Sequence, residues 1–134
     1  DVYDYTNFDT HILSYLIKLF VRELPTKILQ SLKGDMFTHI VMSTNKTFQM
    51  NDVGLAIASL PYPNCSIYLF LLELMVDILV YENVNKMNKR GLGIVFGPNF
   101  YHEPDVMKLA KVQKDINKFV ELSIEYMQNK MEYD

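Results

Sequence analysis

From Ile67 to Tyr81 every residue is apolar except Glu73 and Asp77, and this run constrains the fold more than any other stretch. Read as a helix, it carries hydrophobic side chains around most of its circumference, so it needs neighbours on several sides. That predicts a core helix at the centre of a bundle. The run falls short of the roughly 20 uninterrupted apolar residues that a membrane span requires. Asn64 stands where an N-cap is needed, and Pro61 and Pro63 close off the segment before it.

The rest of the chain repeats the helical period, and no segment sustains a period of two, so the expected class is all-α. Asp9 or Thr10 caps a first helix with Ile12, Leu13, Leu16, Ile17 and Phe20 on its apolar face, which must stop near Leu24 because Pro25 follows. Lys18 and Arg22 lie four apart on this helix, one turn from each other, with Tyr15 a turn before Lys18. A short helical piece from Thr26 to Leu32 is expected to end at Gly34, and Asp35 to start another through Met42. Ser43 to Gln49 reads as a polar loop, after which Asn51 or Asp52 caps a brief segment from Val53 to Ser59. A short helix through Leu92, Ile94, Val95 and Phe96 is terminated by Gly97 and Pro98. The last helix, from about Asp105 to Met131, sets Val106, Leu109, Val112, Ile116, Phe119, Val120 and Met127 on one side. With 134 residues and no repeat or linker, the expectation is a single helical domain spanning 1–134.

Several functions are disfavoured by composition. Thirteen Lys and Arg against sixteen Asp and Glu leave a net charge of −3, without the cationic excess that nucleic-acid binding draws on. One cysteine, Cys65, supports no disulfide scaffold. The first residues have neither the basic start nor the apolar run of a signal peptide, and the expected location is cytoplasmic. His11, His39 and His102 have no paired metal-ligand spacing and read as surface or capping histidines, so no metal site is expected. Gly91, Gly93 and Gly97 lack the preceding strand and the spacing of a phosphate loop; helix packing and a helix stop account for them better. Glu73 and Asp77 read as a polar stripe on the core helix, and Cys65 has no neighbouring base in sequence.

One constellation carries more. The string His11-Ile-Leu-Ser-Tyr-Leu-Ile-Lys18-Leu-Phe-Val-Arg22-Glu23-Leu24-Pro25 resembles the opening of helix B in Rho GTPase-activating domains, where a Lys precedes Arg-Glu-Leu-Pro by one turn. Leu60-Pro61, Asn64 and the core helix, Asn85-Lys86-Met87, and Ile94-Val95-Phe96-Gly97-Pro98-Asn99 resemble the remainder of that family's signature, in order. Gly91 and Gly93 stand where the family usually has Asn and Ala, and both are expected to loosen the short helix by roughly 0.5 to 1 kcal/mol.

The resemblance implies an enzyme regulator rather than an enzyme: a helical domain that binds a GTP-loaded Rho-, Rac- or Cdc42-type GTPase and speeds hydrolysis. It implies that Lys18, Arg22 and Asn99 contact the GTPase, and that Asn85, Lys86 and Pro98 orient the Asn99 loop. It implies no cofactor, because GTP and Mg²⁺ belong to the partner. In this family an arginine finger lies upstream of helix B in a Gly-x-x-Arg-x-Ser-Gly type string, and this sequence contains no Arg before Arg22. Arg90 reads as an exposed turn cation. The first expectation is therefore a partial domain without its first helix and finger loop. The alternatives are a finger-less relative that binds without activating, and a helical interaction module with no GTPase partner.

Two further expectations follow. Loss of a first helix would leave an apolar groove beside the core helix, covered by dimerisation or exchange of an element. From Val84 to Lys118 seven basic residues face three acidic ones, a local excess suited to steering an acidic GTPase surface or anionic lipid. Recruitment to membrane or cytoskeleton would come from flanking domains.

Overall fold

The computed structural model describes residues 10–80 and 87–133. Its helices are α1 (Thr10–Arg22), α2 (Gly34–Val41), α3 (Lys46–Ala58), α4 (Asn64–Val80), α5 (Lys89–Phe96) and α6 (Val106–Tyr133), with a 3-10 turn at Gly97–Asn99. Among the described residues there is no strand, as the periodicity requires.

Two boundaries differ from expectation. Residues 28–32 form turns rather than a helix. Ile28, Leu29 and Leu32 are buried, but their backbone is tied to distant partners: the Asn64 side-chain amide donates to the Ile28 carbonyl at 3.1 Å, and the Leu29 N–H donates to the Phe100 carbonyl at 2.9 Å. The second difference is α3, which begins inside the stretch read as a polar loop. Its cap is Asn45, whose side chain accepts from the Phe48 N–H at 3.0 Å. Gln49, also in that stretch, is buried and donates to the Ile40 carbonyl at 3.0 Å, joining α3 to the end of α2.

The centre of the bundle is α6 rather than α4. Helix α6 packs against α2, α3, α4, α5 and the 3-10 turn, burying Val112, Ile116, Phe119, Val120, Leu122, Ile124 and Met127. Helix α4 buries Tyr68, Leu71, Leu72, Met75 and Ile78 on one side, but Phe70 on the other remains 64% exposed. That open side faces α1 across an apolar groove of about 400 Å³ lined by Leu16, Phe20, Ile67, Phe70 and Leu74. The first turn of α6 also differs from expectation, because Val106 and Leu109 are exposed and only Val112 onward meets the core.

Aromatic rings tie the layers together. Phe37 of α2 meets Phe119 of α6 edge-on at 5.2 Å, and Tyr68 of α4 meets Phe100 edge-on at 5.6 Å. The Tyr68 hydroxyl is fully buried without a hydrogen-bond partner among the described residues. Ser123, beside it, spends its own proton on the Phe119 carbonyl at 2.8 Å. Burial pushes the Tyr68 hydroxyl well above the ordinary phenol value, with Ser123 pulling the other way. Tyr68→Phe keeps the ring and removes a desolvated polar group, so stability should hold or rise by up to about 1 kcal/mol. Thermal unfolding reads this, and a drop of more than about 1 kcal/mol would mean the hydroxyl is satisfied.

On the surface, Glu125 of α6 joins three helices, pairing with Lys46 of α3 at 2.5 Å and Lys89 of α5 at 3.6 Å. Partial burial raises its pKa, but the hydrogen bond from Lys46 and the charges of both lysines outweigh that and hold the carboxyl below its ordinary value. The pairs are largely solvated and fix orientation more than they add stability.

Candidate functional site

The outward side of α1 carries two adjoining stripes. Ile12, Leu16 and Phe20, at i, i+4 and i+8, are each more than half exposed, and the latter two line the groove against α4. Beside them, Tyr15, Lys18 and Arg22 occupy a second sector at i, i+3 and i+7. Tyr15 is 59% exposed, Lys18 half-buried and Arg22 exposed. The ion pairs among the described residues join Lys46 and Lys89 to Glu125 and Lys118 to Glu121, so neither Lys18 nor Arg22 is neutralised by an acidic neighbour there. Burial of Ile17 and Val21 fixes which way α1 faces.

Asn99 belongs to the 3-10 turn, and this turn packs against α1. Two sequence features shape it. Gly97 ends α5, its N–H donating to the Gly93 carbonyl, and Pro98 supplies the fixed φ of the turn's opening. Phe100 then enters the core against Tyr68 and Phe96, which anchors the turn. The Asn99 side-chain amide donates to the Val95 carbonyl at 3.3 Å, satisfying one of the carbonyls left open where α5 ends. Its Oδ1 has no hydrogen-bond partner among the described residues and can accept from a ligand or partner. Just beyond, burial and the Glu103 carboxylate raise the Tyr101 hydroxyl pKa.

The structure therefore brings Lys18, Arg22, Pro98 and Asn99 onto neighbouring elements although more than seventy residues separate the two ends of the set. Asn85 and Lys86 lie outside the described residues. The remaining candidates assemble nothing. His39 and His102 are exposed, the His11 side chain lies outside what is described, and Glu73, Asp77 and Cys65 stand on α4. No group of three His, Cys, Asp or Glu among the described residues is arranged to hold a metal ion. Arg90 is exposed in the first turn of α5, across a groove from Lys114 and Lys118. The basic stretch is partly spent, since Lys89 and Lys118 are paired with Glu125 and Glu121, while Lys108, Lys111 and Lys114 are exposed along α6. No described helix is long and apolar enough to cross a membrane.

Sequence reasoning assigned Gly93 and Gly97 to helix packing and a helix stop but did not name the neighbour, which is α6. A Cβ placed on Gly93 would lie 2.5 Å from the backbone carbonyl oxygen of Asn117, and one on Gly97 would run into the Asn117 side-chain amide. Glycine at 93 is what lets the two helices touch, so it does not loosen α5 as expected. The contact partner lies 24 residues further along, where no local pattern points to it.

Comparison with known proteins bears on the family and the fold. Residues 1–105 match the RhoGAP domain. A probable Rho-type GTPase-activating protein 2 of Schizosaccharomyces pombe is 31% identical over 108 residues, covering 81% of this chain and 8% of that protein. Rho GTPase-activating protein 1 of Arabidopsis thaliana is 32% identical over 117 residues, covering 87% of this chain and 24% of its own length. The chain thus spans less than a quarter of either relative. The crystal structure of human Rho GTPase activating protein 15 shares the fold, with a TM-score of 0.76 at 23% identity over 93% of this chain and 61% of the other. The Lys18 and Arg22 helix, the Asn99 turn packed against it and a match over residues 1–105 lead to one assignment: this chain belongs to the RhoGAP domain family.

Proposed function

We infer that this chain is the docking portion of a Rho GTPase activator, binding a GTP-loaded Rho-, Rac- or Cdc42-type GTPase through Lys18, Arg22 and Asn99, with Asn85, Lys86 and Pro98 orienting the Asn99 loop. The observation that carries this reading is a pair of cations, without ion-pair partners among the described residues, on the helix that packs against the Asn99 turn. Exposed Arg22 and half-buried Lys18 attract the switch and phosphate side of a nucleotide-loaded GTPase, and an amide with a free acceptor adds direction.

Hydrolysis by such a partner passes through a transition state with charge spread over the transferred phosphoryl group. An arginine supplied in trans neutralises it, for roughly 10³ to 10⁵ in rate. This reading gives that role to neither Arg22, which serves docking, nor Arg90, which stands in the groove between α5 and α6. The finger belongs to the complete activator, and nucleotide and Mg²⁺ belong to the GTPase, so the chain requires no cofactor of its own. It works in the cytoplasm, recruited to membrane or cytoskeleton by flanking domains.

The test is a panel of Rho, Rac and Cdc42-type GTPases loaded with a non-hydrolysable GTP analogue for binding and with GTP for single-turnover hydrolysis. Binding without acceleration is expected. Acceleration would show that the finger function resides in these 134 residues, and absence of binding across the panel would refute the docking reading.

The groove between α1 and α4 is the second interface in this reading, covered by a second copy of the chain. Leu16, Phe20 and Phe70 are each more than half exposed along it, and a continuous apolar patch of this kind recruits a partner. Light scattering should show a concentration-dependent dimer; a monodisperse monomer at high concentration would exclude it.

A further inference from the structure

Residues 23–32 run from the end of α1 back to the chain that follows Asn99, and three hydrogen bonds fasten the two together. The Leu29 N–H donates to the Phe100 carbonyl at 2.9 Å. Gln30 Nε2 donates to the His102 carbonyl at 2.9 Å, and Gln30 Oε1 accepts from the His102 N–H at 2.8 Å. One side-chain amide thus engages both main-chain groups of a residue 72 positions away. The strap is held from its other side by Asn64, at the start of α4, donating to the Ile28 carbonyl.

We propose that Gln30 is a positioning residue for GTPase docking: its amide clasps the main chain at His102 and so keeps the Asn99 turn in register with Lys18 and Arg22. The proposal rests on the docking reading given above. Arg22 precedes the strap by one residue, and Asn99 precedes the clasped residue by three, so the clasp joins the segment that follows one half of the docking surface to the segment that follows the other. The halves approach through α1 against the 3-10 turn, and Phe100 anchors the turn from the core side. On the surface side the clasp is the connection that spans both segments. Gln30 is half-buried and lies outside the hydrophobic core, so its loss releases the turn without emptying the core. Both bonds go to His102 main-chain atoms, so the identity of the His102 side chain has no part in them.

The test measures affinity for a GTPase loaded with a non-hydrolysable GTP analogue, thermal stability, and amide exchange at His102. For Gln30→Ala we expect about fivefold weaker binding, because the turn occupies its docking arrangement only part of the time. The same variant should lose protection at the His102 amide and shift Tm by less than about 3 °C, as a surface change does. Gln30→Glu keeps the acceptor and loses the donor, and should fall between; His102→Ala should bind like the unaltered chain. If Gln30→Ala binds unchanged while Lys18→Ala loses binding, the clasp role is overturned and the docking reading stands. If the unaltered chain binds no GTPase, both fall. If Gln30→Ala and Gln30→Glu lose Tm and affinity together to the same degree, Gln30 is structural and the positioning role is overturned.

Discussion

Gly93→Ala is expected to destabilise the domain by about 2 kcal/mol, where the same change in an exposed helix would stabilise by roughly 1 kcal/mol. The sign is set by backbone atoms. The new Cβ would lie 2.5 Å from the Asn117 carbonyl oxygen, 3.4 Å from its carbon and 3.5 Å from the Glu121 nitrogen, and none of these can rotate aside as a side chain would. Helix α5 must therefore lift from α6. Leu92 and Phe96, both fully buried in the core cluster, move with it, so the cost is lost core packing and not merely local strain. Gly91 provides the contrast, since among the described residues its Cβ would meet only the Asn88 side chain, at 3.2 Å. Equilibrium denaturation of the two alanine variants separates the cases, and a Gly93→Ala protein as stable as the parent would show that α5 stands further from α6 than described.

The double change Lys18→Ala with Arg22→Ala should reduce affinity for a GTP-loaded GTPase at least about 100-fold, because charged anchors near an interface centre dominate binding energy. Stability should barely respond, since neither cation is in an ion pair among the described residues and Arg22 is exposed. Parent affinity should also fall as salt rises, while that of the double variant should be flat, because the charges removed are those that salt screens. Arg22→Lys should recover only part of the loss, a point charge being a poor replacement for a planar fork of donors. Retention of affinity by the double variant would move the docking surface elsewhere.

Features governed by local chemistry were legible in the sequence. The stop of α1 ahead of Pro25 and the end of α5 at Gly97 each depend on one residue whose effect lies within a turn of it. Asn64 does open α4, but as its first helical residue and not as its N-cap, and its side-chain amide reaches back to the Ile28 carbonyl. What could not be read depends on partners far along the chain. The Ile28 to Leu32 segment has a helix-like apolar spacing, but its carbonyl and N–H groups are claimed by Asn64 and Phe100, which leaves turns. Helix α3 starts in a polar stretch because Asn45 caps it and Gln49 finds a buried acceptor on α2; Asn45 three residues before Phe48 was the available signal. The apolar surface of Ile67 to Tyr81 overstated the number of its neighbours, as exposed Phe70 shows. For the candidate site, the Lys18 and Arg22 spacing was visible as a local pattern. Its closure by Asn99 rests on the core placement of Phe100, and the Gln30 clasp has no sequence signature at all.

Of the α1 side chains that are described, only Ile17 and Val21 are buried, whereas α4 and α6 each bury a continuous row. Free energies of local opening follow such differences in buried apolar contact. Amide exchange should accordingly rank α1 as the first cooperative unit to open, ahead of global unfolding. Any partner that grips Lys18 and Arg22 then draws α1 toward its closed form, so affinity and the folding equilibrium of this one helix are thermodynamically linked.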